Sequence, residues 1–171
     1  MTAPVLVLVG PPGSGKTTVG RELAARLGVE FRDTDADVEA LAGKPIAEIF
    51  IDEGEPHFRE LEARAVREAA EGHPGVLALG GGAVLAEATR AVLADLPVVF
   101  LEVPLGDAVK RVGLDAPRPL LAVNPRARWR ELMEARRPLY LEVATAVVTT
   151  EGRSPEQVAD AVLEALELQP K

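Results

Sequence analysis

Residues 10–17 read Gly10-Pro11-Pro12-Gly13-Ser14-Gly15-Lys16-Thr17, a complete match to the pattern G-x-x-x-x-G-K-[ST]. Residues of these types at this spacing can hold phosphate. Glycines let a loop wrap an anion with its backbone N–H groups turned inward, at the positive end of a helix. The lysine then reaches the β- and γ-phosphates of a nucleoside triphosphate, and the next hydroxyl can ligate Mg²⁺. The flanks agree with this reading. Val5-Leu6-Val7-Leu8-Val9 ahead of the loop suits a parallel strand buried on both faces. Behind it Val19, Leu23, Ala24 and Leu27 recur at helical spacing, with Gly28 as a stop. The sequence therefore predicts a nucleoside triphosphate site.

The acceptor of the phosphoryl group needs other residues. The base-reading N-K-x-D of small GTPases is absent. The strand predicted at 76–80 runs into Gly80-Gly81-Gly82, where larger ATPases place a metal-binding aspartate. The Mg²⁺ carboxylate must then come from Phe31-Arg32-Asp33-Thr34-Asp35. Two residues apart at a strand's carboxyl end, Asp33 and Asp35 can point the same way, into the region where open α/β sheets bind ligands. Helix N-capping is the competing account of such aspartates.

These groups have to be carried by a scaffold, and 171 residues with 47% hydrophobic content suffice for one domain with a real core. Short apolar runs alternate with helical patterns, as in βαβ units around a parallel sheet. Strands are predicted at 4–9, 30–33, 76–80, 97–102 and 146–149. Helices are predicted at 16–27, 35–42, 45–53, 56–71, 85–94, 105–112, 126–141 and 155–167. Ser154, Pro155 and Gln157 form a capping box with proline in the first turn of the last helix. Residues 113–125 carry three prolines and no periodicity, which suggests a functional loop such as a lid.

Composition narrows the partners. The chain has no cysteine, so disulfide frameworks and thiolate metal sites are excluded. A net charge of −8 argues against a general nucleic-acid or anionic-membrane surface, so an anionic ligand needs a local arginine cluster. The N-terminal apolar run lacks a basic flank and ends at Gly10, which does not fit a signal peptide. A cytoplasmic monomer is the expectation. His57 and His73 have no partner at metal-ligand spacing and are expected at the surface. Phe50 and Phe58 suit either a substrate ring or the core.

Gly10–Thr17, Asp33-Thr34-Asp35, Phe58-Arg59, Gly80-Gly81-Gly82, Arg118-Pro119-Leu120-Leu121 and Arg136-x-Pro138-Leu139-Tyr140 occur in the order and spacing of the shikimate kinases. The resemblance covers nearly the whole chain. It implies ATP-dependent phosphorylation of the 3-hydroxyl of shikimate, with Mg²⁺ and no nucleic-acid or membrane partner. It also implies an α/β, three-layer P-loop kinase fold like that of nucleoside monophosphate kinases. That fold has a five-stranded parallel sheet, an acceptor-binding part at about 33–60 and a lid at about 113–125. Another small-molecule kinase of this scaffold, gluconate-type or nucleotide-specific, is the alternative.

The resemblance also distributes roles. Gly13, Ser14, Gly15, Lys16, Thr17 and Thr18 hold the nucleotide, with Thr17 and Asp33 at the metal. Arg111 and Arg153 flank adenine, and Arg118 reaches the phosphates from the lid. Arg59 and Arg136 clamp the shikimate carboxylate, as planar guanidinium groups do well. Asp35 orients the 3-hydroxyl, and Gly80, Gly81 and Gly82 admit the ring closely. Lys16, Asp35 and Arg118 form the catalytic set. Glu62, three residues after Arg59, is expected to orient that arginine.

Overall fold

The computed structural model describes residues 3–103 and 125–170. The apolar run before the phosphate loop is β1 (Leu6–Val9), with all four residues buried, as a strand covered on both faces must be. Around it lie β2 (Phe31–Asp33), β3 (Val76–Ala78), β4 (Val98–Glu102) and β5 (Ala146–Thr149). They form one sheet in the order β2-β3-β1-β4-β5, and every pairing is parallel. The carboxyl ends of β1, β2 and β3 therefore lie on one edge. From them emerge the phosphate loop, Asp33 and the triple glycine.

The helices are α1 (Lys16–Leu27), α2 (Thr34–Ala42), α3 (Ile46–Glu53), α4 (Glu55–Gly72), α5 (Glu87–Leu93), α6 (Pro125–Val143) and α7 (Pro155–Ala165). A single 3₁₀ turn (Ala83–Leu85) precedes α5. Side chains alternate across the strands, so each face of the sheet has its own core. Leu6, Leu8, Val99 and Leu101 pack against α1 and α7. Val7, Val9, Leu77 and Phe100 pack against α4, α5 and α6. A smaller third cluster, Val38, Ile49, Phe58 and Ala65, joins α2, α3 and α4 beyond the sheet.

Most predicted boundaries fall within two residues of the observed ones. Gly28 ends α1 at φ 67, its N–H reaching back to Ala24 and Ala25 carbonyls. The Ser154–Gln157 capping box starts α7. The predicted helix at 105–112 and nearly all of the proposed lid lie outside the described residues. Among the described residues, no helix is long and apolar enough to cross a membrane.

Candidate active site

At the tip of β1 the chain turns through Gly13 (φ 82) and Gly15 (φ 88), conformations that a side chain would strain. Gly15 is the N-cap of α1, and the first turn of that helix holds no acidic residue, so its positive end is left to an anion. Lys16 folds back across the loop. Its Nζ donates to the carbonyls of Gly10 (2.8 Å) and Pro11 (2.9 Å) and to Ser14 Oγ (3.3 Å). Ser14 itself is buried, while Thr17 and Thr18 are exposed on the open side.

A cleft of about 260 Å³ runs from Lys16 and Thr17 to Asp33, Asp35 and the Gly80–Gly81 turn. The two aspartates do not share a strand face as their spacing suggested. β2 ends at Asp33 and α2 begins at once, so Asp33 is the N-cap, its Oδ1 accepting the Asp35 N–H at 2.9 Å. Asp35 stands in the first helical turn instead. Capping and cleft-lining are thus both true of Asp33, because the helix starts inside the site.

The triple glycine is explained by what surrounds it. A Cβ on Gly80 would lie 2.5 Å from Asp35 Oδ1 and 2.9 Å from Glu62 Oε2, and one on Gly81 2.6 Å from Pro12 Cδ. On Gly82 it would run into the Arg59 guanidinium. Each glycine thus lets a different part of the site approach. The Gly80 N–H donates to the buried Thr34 Oγ1 (3.3 Å), and its carbonyl accepts from Ala83 (3.1 Å).

Arg59, on α4, lies with its guanidinium 5.1 Å from the Phe58 ring centre. It donates through Nη1 to Glu62 Oε1 (2.8 Å) and through Nη2 to Glu55 Oε2 (3.4 Å). Glu62 is therefore the orienting partner that the i, i+3 spacing predicted. Arg136, on α6, is only 5% exposed. The Nε atoms of both arginines are buried and have no hydrogen-bond partner among the described residues. Burial raises the Glu62 carboxyl above its ordinary range; Arg59 pulls it back, Asp35 pushes it further up, and Arg136 opposes. Two guanidinium groups thus meet at this corner beside a carboxyl reluctant to ionise, with Glu55 on the outer side of Arg59, and planar guanidinium groups suit a ligand carboxylate.

Other expectations fare differently. Arg153 sits in the turn after β5, exposed and donating to Thr149 O at 3.2 Å, and does not line the cleft. Arg111 and Arg118 lie outside the described residues. His57, in the first turn of α4, is at the surface, 2.9 Å from Glu53 at the end of α3. His73 is a correction: it is buried, its Nε2 3.1 Å from Val76 O, because the chain folds over the ring as it leaves α4 for β3. Phe58 is core, its ring 4.8 Å from that of Phe50.

This geometry can be set beside known proteins. The family model described as shikimate kinase matches residues 12–167. The chain belongs to the shikimate kinase family. A shikimate kinase of Salinispora arenicola is 69% identical over 92% of this chain and 94% of its own. One of Streptomyces avermitilis is 63% identical over 98% of each. Among solved structures, the shikimate kinase from Acinetobacter baumannii in complex with shikimate superposes with a TM-score of 0.92 at 39% identity. It covers 98% of this chain and 94% of its own. Reading the sequence for family motifs missed two residues of the site. Thr34 is hidden between the aspartates that drew attention. Pro12 fills an unspecified position of the phosphate-loop pattern, yet it is the surface that Gly81 meets.

Proposed function

We propose that this chain transfers the γ-phosphoryl group of ATP to the 3-hydroxyl of shikimate, giving shikimate 3-phosphate and ADP. One observation carries the reading: a single cleft joins the phosphate loop to Asp35 and the glycine turn, with the half-buried Arg59 against that turn and the buried Arg136 near Glu62. Phosphoryl transfer demands position and charge neutralisation more than covalent chemistry. Lys16 neutralises the β- and γ-phosphates. Asp35 accepts a hydrogen bond from the 3-hydroxyl and aims it. Arg59 and Arg136 bind the carboxylate at the far side of the ring, which fixes its rotation.

The donor set also fits a metal. Among the described residues no group of three or more acidic or imidazole side chains is placed to hold a metal ion by itself. Thr17 and Asp33 line the same cleft as Lys16. One hydroxyl and one carboxylate suit Mg²⁺, which keeps several waters and takes its other ligands from phosphates. Bound there, it supplies positive charge to the transferring group. Arg118 at the phosphates, and Arg111 and Arg153 at adenine, rest on family resemblance alone. Residence in the cytoplasm as a monomer belongs to the same proposal.

A coupled ADP-release assay with shikimate, quinate and gluconate tests the reading. Release should depend on shikimate. Indifference to shikimate, or preference for gluconate, overturns it.

A further inference from the structure

Tyr140 is the sole tyrosine of the chain. It is fully buried, with its ring 4.9 Å from that of Phe100. That packing needs only the ring; a phenylalanine would supply it. The hydroxyl is another matter, since a buried polar group is costly unless it is partnered. It donates to the Gly81 carbonyl at 2.5 Å, across 59 residues of sequence. Arg136 stands one helical turn earlier on α6, near enough for its charge to act on this phenol. Burial pushes its ionisation up to about 12, so the phenol keeps its proton at physiological pH.

Its one proton goes to the Gly81 carbonyl, and its two lone pairs remain able to accept from a neighbouring guanidinium. The hydroxyl thus stands between the arginine's charge and the glycine turn. Peptide groups are planar, so holding the Gly81 carbonyl fixes the whole Gly81–Gly82 unit. That unit faces Pro12 of the phosphate loop on one side and the Arg59 guanidinium on the other.

We propose that Tyr140 is a positioning residue for the acceptor, its hydroxyl holding Arg136 and the Gly81–Gly82 peptide in one frame so that both meet shikimate together. This rests on the reading of Arg136 as a carboxylate ligand.

Tyr140→Phe tests it, with Arg136→Ala and the double variant measured alongside by calorimetry. Losing the hydroxyl takes the donor from the half-buried Gly81 carbonyl and the polar neighbour from Arg136, so shikimate affinity should fall about 5- to 50-fold. ATP affinity should hold, and the shikimate KM should rise more than kcat falls. In the Arg136→Ala background the same change should have little further effect. Arg136→Ala weakening shikimate while Tyr140→Phe does not overturns this inference alone. Arg136→Ala without effect overturns the clamp reading and this inference with it. Equal losses of shikimate and ATP affinity in Tyr140→Phe mean general destabilisation and also overturn it. A second measurement needs no substitution of side-chain function. Protein labelled with 3-fluorotyrosine has one ¹⁹F resonance, which should shift with shikimate and not with ATP alone. A resonance unmoved by saturating shikimate counts against the proposal.

Discussion

Alanine at Gly80 places a methyl carbon 2.5 Å from Asp35 Oδ1 and 2.9 Å from Glu62 Oε2. Ordinary contact begins at 3.4 Å, so the Asp35 carboxylate must retreat by about 0.9 Å. It is the tip of a short side chain, so the fold can absorb the intrusion at the low end of over-packing costs, about 1 kcal/mol. For a chain of this size that lowers the melting temperature by about 2–4 °C. The chemistry is less forgiving. A misplacement near 1 Å costs about 10²-fold in rate, so kcat/KM for shikimate should drop by roughly 10- to 100-fold. Gly81→Ala is the internal comparison. Its methyl would lie 2.6 Å from Pro12 Cδ and 3.2 Å from Pro12 N, atoms of a closed ring and backbone that cannot swing away. That variant should lose ATP affinity, whereas Gly80→Ala should keep it. Steady-state kinetics with each substrate varied, plus calorimetry for ATP, reads both. Gly80→Ala with wild-type kcat/KM, or with an ATP defect equal to that of Gly81→Ala, refutes the assignment of these glycines to different neighbours.

Lys16→Met should lower kcat by about 10²–10³-fold, the usual cost of removing one preorganised donor, and single-turnover kinetics will reveal it. Asp33→Asn should raise the Mg²⁺ concentration needed for half-maximal rate, whereas Asp35→Asn should cut turnover at saturating Mg²⁺; identical Mg²⁺ titrations would contradict that division. Glu62→Gln has a pH signature. The carboxyl is raised above its ordinary value of 4.5, chiefly by burial, so the folded chain holds that proton to higher pH than the unfolded chain. Its contribution to stability is full below that ordinary value and is lost as pH rises through the raised one. The melting temperature of Glu62→Gln relative to wild type should therefore climb from pH 4.5 to neutrality, while the shikimate KM rises as Arg59 loses its partner. A difference that stays flat with pH removes Glu62 as a titrating group.

Local pattern explains which parts of this molecule could be read in advance. β1, the phosphate loop and α1 are specified by neighbours in sequence, through an apolar run, glycines of positive φ and a 3.6-residue period. The Arg59–Glu62 pair is equally local, one turn of one helix. What escaped is non-local. Thr34 meets Gly80 across 46 residues and Tyr140 meets Gly81 across 59. No periodicity carries such pairings; they follow from the strand order. His73 escaped for a related reason, since a polar residue just past a helix end gives no sign that the chain will fold over it. The strand ending at Asp33 and the helix from Asp35 were predicted correctly, but the two-residue spacing suggested a shared strand face that the immediate start of α2 removes.

The separateness of the third apolar cluster has a consequence for how such a scaffold can change. α4 serves two masters: Phe58 and Ala65 close the small cluster with Val38 and Ile49, while Val66 and Ala69 belong to the sheet. Asp35 on α2 and Arg59 on α4 thus stand on helices tied to the small interior, whereas the phosphate loop, the glycine turn and α6 with Arg136 are tied to the sheet. Substitutions in the small interior can reshape α2 and α3 without loosening β1 or the loop it carries. The corner that Asp35 and Arg59 form can be reshaped while the phosphate loop stays fixed. Modularity of that kind is written into the packing, four buried side chains at a time.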